Sequence, residues 1–383
     1  MSKEDVISTL LYLLMATAIV LVGFLWINPA FQSTGELGFL KNGATFAFIL
    51  VGLVVGILIN VLLFELGHVL GALMGGYRIV STNVLGFNFY KVEDENGKLK
   101  TKFRFKSFSG LTGETLIDPK SEKSNPMFYV FMPLIFLLIE VAALVFLMTY
   151  TPKGASHGFY LIKYGLVIAA TIGLCMGLYN YFPAKLDSAN DGYRLVLLSK
   201  KINIQAFNSQ LKVKTNNFFN KPNEEMEVFE EITDFTAQVN CHTAMLKYKN
   251  GQVDEALEII EKCLESKEPS KSTRRALLLN KIYIYYLKKT ITEATAMVKA
   301  LSEDDGIFVT NCKSLPAIRV YILYIGIVEK SRSEVEFALD RKRKFKDKVS
   351  EGERIFEEGL IEEALNYVKE VNPGLFKEEK PTA

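Results

Sequence analysis

The sequence predicts an all-α membrane protein with four transmembrane helices and a small β-hairpin insertion, followed by a C-terminal α-helical repeat domain. Three observations carry this reading. Long apolar segments crowd the first 185 or so residues, and a turn signal stands in the loop between the second and third of them. From about Asn203 onward, apolar residues recur at helical spacing among lysines and glutamates. An apolar share of 49% and a mean hydropathy of +0.16 are high for a chain with so charged a second half, so the apolar residues must be concentrated at one end. The expected division is residues 1–200 as a membrane domain, 203–372 as a helical domain and 373–383 as a disordered tail.

Crossing about 30 Å of hydrocarbon takes about 20 apolar residues. Ile7–Ile27, Ala44–Leu73, Met127–Tyr150 and Tyr164–Phe182 meet that requirement. Lys3 is the one side-chain cation before the first run and no small-residue cleavage site follows it, so that run reads as a retained anchor. The loop from Gly76 to Pro126 carries nine lysines and arginines, whereas the loops at 28–43 and 151–163 carry only Lys41, and Lys153 with Lys163. Positive loops stay inside, which places that loop, both termini and the C-terminal domain in the cytosol. A net charge of +2 without a dominant basic face excludes nucleic acid as the partner and leaves the lipid bilayer surface. Cys175, Cys241, Cys263 and Cys312 are scattered without a CxxC spacing, so neither a structural zinc nor a disulfide framework is expected.

Inside the positive loop, 77–126, the stretches Val84–Val92 and Lys98–Phe108 partly alternate and are rich in aromatic residues. Asn96-Gly97 stands between them, the signal of a type I′ hairpin.

The chemistry concentrates in the second span. Glu65 and His68, three residues apart, share one helix face at membrane depth, where an ionisable side chain is costly and marks a functional site. Phe64-Glu65-Leu66-Gly67-His68 is HExxH with phenylalanine in place of its first histidine. In HExxH, histidines at i and i+4 project together onto zinc and the glutamate polarises the metal-bound water. A third ligand must come from elsewhere. Asn180-Tyr181-Phe182-Pro183, then Asp187, then Asn190-Asp191-Gly192 enter the same bilayer side just after the fourth span. Glu140, on the third span, is expected to pair with a polar group or to be protonated, and Asn60 to join helices. Gly71, Gly75 and Gly76 would allow close packing and then end the helix.

FELGHVLGALMGGYRI followed by NYFPAKLDSANDGYR resembles the site-2 protease family of intramembrane zinc metalloproteases, over roughly residues 44–195. The resemblance implies Glu65 as general base, His68 as zinc ligand, Asp191 as the carboxylate ligand with Asp187 as the alternative, and Asn180 with Pro183 as substrate-binding. It implies membrane-anchored proteins or peptide precursors as substrates and a multi-pass protein of a bacterial plasma membrane. A phenyl ring cannot ligate zinc, so Phe64 leaves zinc weak or absent and the protease inactive or impaired. The alternative is a pseudoprotease receptor or scaffold without enzymatic activity, and a third reading is a transport path lined by Glu65, His68 and Glu140.

In the second half, Gly251-Gln252-Val253-Asp254-Glu255-Ala256 recurs as Gly359-Leu360-Ile361-Glu362-Glu363-Ala364, with a weaker copy at Ile291-Thr292-Glu293-Ala294. With Tyr248, Leu264 and Pro269, this resembles the tetratricopeptide pattern of stacked helix pairs and implies a surface for a cytosolic protein or peptide partner. Ile282, Tyr283, Tyr286 and Leu287 read as core.

Overall fold

The computed structural model describes residues 3–23, 25, 43–105, 113–183, 190–346 and 348–376. Two compact units divide between Ile204 and Gln205. The first holds α1 (Lys3–Val22), α2 (Gly43–Met74), a sheet of β1 (Tyr77–Val84), β2 (Phe87–Glu93), β3 (Leu99–Phe105) and β4 (Gly113–Pro119), then α3 (Pro126–Thr149), α4 (His157–Tyr181) and α5 (Asp191–Leu198). α6 (Lys201–Phe218) runs across the division.

Three of these helices are long and apolar enough to cross a membrane: Ala47–Met74 in α2, Pro126–Leu147 in α3 and His157–Tyr181 in α4. Four spans were expected. The described apolar stretch of the first segment, Val6–Val22, is shorter than one crossing needs, and residues 26–42 lie outside the described residues. α2 packs by close backbone approach. A Cβ at Gly56 would stand 2.7 Å from Ile172 Cδ1 and 3.0 Å from Ala169 Cα of α4, and one at Gly67 would stand 2.6 Å from Pro133 Cα of α3. Small residues at such contacts let dispersion and backbone polar contacts join helices that lipid would otherwise solvate equally well.

The insertion is larger than the expected hairpin: a four-stranded antiparallel sheet in the order β3-β2-β1-β4. The stretch read as one strand, 84–92, turns back at Leu85-Gly86, where both residues have positive φ (53° and 87°) and Val84 pairs with Phe87. That is the backbone of a type I′ turn, and it carries a leucine where asparagine is preferred. The expected I′ turn at Asn96-Gly97 is instead a three-residue loop with only Gly97 at positive φ (73°). Asp94 Oδ1 accepts from the backbone N–H of Asn96 and of Lys98, at 3.0 and 2.8 Å, and so selects that geometry. β1 pairs along its length with β4, and Tyr77 and Ile117 are fully buried. Phe87, Phe89, Phe103 and Phe105 form an exposed row, with Phe87 opposite Phe105 and Phe89 opposite Phe103.

The second unit is all helical: α7 (Asp234–Lys249), α8 (Val253–Glu265), α9 (Lys271–Lys288), α10 (Ile291–Lys299), α11 (Glu303–Thr310), α12 (Leu315–Tyr324), α13 (Arg332–Lys342) and α14 (Glu351–Val371). Side-chain caps set many of the starts. Thr233, Ser270, Thr290, Ser302, Ser314 and Ser331 each accept from the N–H three residues on. The sequence neighbours α7–α8, α9–α10 and α12–α13 pack as pairs, and α9 and α12 also pack on each other. Ile282, Tyr283 and Tyr286 are buried, with Leu287 partly so. The third sequence copy behaves differently: Gly359 lies inside α14, because the helix formers after Ser350 start the helix eight residues earlier. All four cysteines are buried and free. Of the tail expected to be disordered, 377–383 lie outside the described residues, while Leu375 and Phe376 pack on the core.

The polar centre of this core is Arg319, fully buried on α12. It donates to Glu357 Oε2 at 2.9 Å and to Asn280 Oδ1, and its guanidinium lies 4.5 Å from the Tyr283 ring centre. Replacing Arg319 by Met should destabilise the unit by about 3 kcal/mol, the lower end for a broken buried pair, because Glu357 is left largely enclosed without its partner. Hydrogen exchange of the α12 and α14 amides in the intact chain measures this, and unchanged protection would refute it. His242, on α7, has a buried Nε2 with no partner, and burial lowers its pKa to about 4. The unfolded chain takes up this proton near pH 6.5 and the folded one resists until about 4, so stability falls as pH drops through that window. The loss is at most about 3 kcal/mol. A His242→Phe chain, melted in parallel over the same pH range, should lack this component.

Candidate functional site

The site is assembled by α2, α4, α5 and β4. Glu65 and His68 sit one turn apart on α2, and Asp191 is the first residue of α5. Asp191 reaches α2 because α5 starts hard against the end of α4. Asn190 caps α5 by accepting from Tyr193 N–H at 2.9 Å, and its amide donates to Tyr179 and Phe182 carbonyls at 3.0 and 2.6 Å. Gly192 follows Asp191 because a Cβ there would overlap the backbone of Tyr181. The aspartate–glycine pair thus has a packing reason of its own.

His68 Nε2 lies 3.3 Å from Asp191 Oδ2. His68 Nδ1 lies 3.0 Å from the Tyr129 carbonyl and Nε2 faces the carboxylate, so both ring nitrogens stand against acceptors and donate to both only when each carries a proton. Asn180 Nδ2 donates to the same Oδ2 at 2.6 Å, and Arg194 Nη1 donates to Oδ1 at 3.3 Å. Asp191 is only 3% exposed. Burial alone would raise its pKa, but the hydrogen bond and attraction of His68, then Arg194 and Asn180, outweigh burial and hold the carboxyl below its usual range. Glu65, equally enclosed, takes a hydrogen bond from the Thr115 hydroxyl of β4, and a Cβ at Gly113 would overlap its carboxylate. Thr115 is itself held, with its carbonyl accepting from the Tyr129 hydroxyl at 3.3 Å.

Of the residues expected from the sequence, Glu65, His68, Asp191 and Asn180 come together. Phe64 lies beside Glu65 on α2, half-buried, and Pro183 is exposed just past α4. Asp187, the alternative ligand, lies outside the described residues. Arg194, Thr115 and Tyr129 were not anticipated. Arg194 could have been found from its i, i+3 spacing to Asp191. Thr115 carries no local signal, since only the β1–β4 pairing brings it to the site.

A catalytic zinc takes three protein ligands and keeps one position for water. Here position 64 offers a hydrocarbon ring, and both Asp191 oxygens are already engaged by His68, Asn180 and Arg194. Among the described residues, no three His, Cys, Asp or Glu side chains gather as a metal would require. The residues present therefore do not complete a zinc site. What they form is a buried carboxylate satisfied by three cationic or amide donors, beside a second carboxylate capped by a hydroxyl.

No family model, curated protein or solved structure matches this chain.

Proposed function

We propose that the chain has the plan of a site-2-type intramembrane metalloprotease for membrane-anchored proteins or peptide precursors, in a form impaired by Phe64. One observation supports it above the others. A histidine and an aspartate 120-odd residues apart in sequence face each other at 3.3 Å, with a buried glutamate one turn from that histidine on the same helix. In this reading Glu65 is the general base, His68 and Asp191 are the remaining ligands, and zinc is weakly held or missing. Asn180, with Pro183, would meet substrate. In this reading the segment Ile7–Ile27 supplies the fourth span and both termini face the cytosol of a bacterial cell, so externally added protease should leave the second unit intact in sealed cells.

A second reading is a scaffold without enzymatic activity whose helical unit, tetratricopeptide-like in its pairing, docks a cytosolic protein or peptide. The saturated state of Asp191 favours it, because an aspartate holding three protein donors is complete without a metal. The two readings separate on Phe64→His. If the protease reading is right, the substituted chain should purify with about one zinc and cut a membrane-tethered peptide. Adding Glu65→Gln should then keep the zinc and slow cutting by roughly 10²–10⁴-fold, the usual worth of a general base. The parent chain should bind zinc more weakly by more than the roughly 10–100-fold that losing a supporting residue costs. A Phe64→His chain with neither zinc nor cleavage would leave the scaffold.

A further inference from the structure

Halfway along the three spanning helices, away from the site above, two oxygen atoms lack hydrogen-bond partners: Asn60 Oδ1 on α2 and Glu140 Oε2 on α3. They are neighbours. A Cβ built on Gly173 of α4 would overlap both oxygens at once, so α4 needs a glycine where the two side chains meet. Asn60 is fully buried and its orientation is fixed, because Nδ2 donates to the carbonyls of Gly56 and Ala169 at 2.9 and 2.8 Å. Rotating the amide to face Glu140 with its nitrogen would break both bonds. Oδ1 therefore points at a second acceptor, and two facing acceptors repel unless something lies between them.

We propose that Glu140 is a carboxylic acid that holds a proton and donates it to Asn60 Oδ1, a buried acid–amide hydrogen bond at the junction of α2, α3 and α4. One proton satisfies both orphaned oxygens and removes a charge from the middle of three apolar helices, where ionised carboxylates are disfavoured. A metal cation is a poorer occupant, since the two backbone carbonyls that Asn60 touches, of Gly56 and Ala169, already accept from its amide. No ion pair reaches Glu140 among the described residues. On α2, Glu65 and His68 are engaged with Thr115 and Asp191; on α4, Cys175 donates towards the Met15 carbonyl; on α5, Asp191 and Arg194 pair with each other. The proposal rests on the helix packing alone and stands or falls separately from the zinc question.

Infrared spectra of the full chain and of Glu140→Gln test it directly. The parent should show a protonated-carboxyl C=O band at neutral pH that shifts in D₂O and is missing from the variant. Loss of a carboxylate band instead would overturn the proposal. Glu140→Gln keeps an N–H for Asn60 Oδ1 and should melt within about 1 °C of the parent, whereas Glu140→Met, of similar shape without a donor, should melt about 2–4 °C lower. Equal melting of Met and parent, or a Gln chain as damaged as the Met chain, would refute the hydrogen bond. A parent melting point that rises in sodium chloride over choline chloride, with no such rise in Glu140→Gln, would assign the oxygens to a cation instead.

Discussion

Backbone-to-backbone contact by α2 is the constraint on which the first unit depends. Along its first half the helix meets the α4 backbone at Gly56, with Gly52 against the Ile168 side chain, and along its second half it meets the α3 backbone at Gly67 and Gly71. Between these two contacts α2 changes partner, and its polar side chains Asn60, Glu65 and His68 fall around that change. A helix held by side chains alone would sit farther out and could not bring His68 within 3.3 Å of Asp191.

The electrostatics follow from that enclosure. Two carboxylates are buried in one cluster, and each is satisfied in a different way. Asp191 is surrounded by donors, two of them basic side chains, and its backbone position at the start of α5 adds the favourable end of a helix dipole. Glu65 receives a neutral hydroxyl from a sheet that the chain inserts between its second and third long helices. The asymmetry lies in the donors: charged and amide groups for one acid, a single hydroxyl for the other. In the second unit, Arg319 plays the opposite part, a buried cation around which Glu357, Asn280 and Tyr283 are arranged.

Some of this was legible in the residues because the physics is local. Hydrocarbon thickness makes α2, α3 and α4 plain from length and composition, and an i, i+3 spacing puts Glu65 and His68 on one face without any tertiary information. Asp191 could be matched to them because the spans expected from the sequence would bring both motifs out on one side of a bilayer. The rest was hidden for physical reasons. β4 pairs with β1 across some thirty residues, so nothing near Thr115 announces its contact with Glu65. The Leu85-Gly86 turn is masked because Val84 and Leu85 before it and the alternating Phe87 and Phe89 after it read as one apolar strand. Gly359 imitates a helix start, but Ser350 precedes a better one and the glycine is carried inside α14.

The row of four phenylalanines on β2 and β3 has a consequence for how the insertion can exist. β3 is an edge strand, and an exposed apolar edge is a template for pairing with another copy. Lys100, Lys102 and Arg104 alternate with those rings on the same strand. Two copies meeting edge to edge would crowd three cations from each against one another, so the strand that most invites self-association also carries the charges that keep identical chains apart.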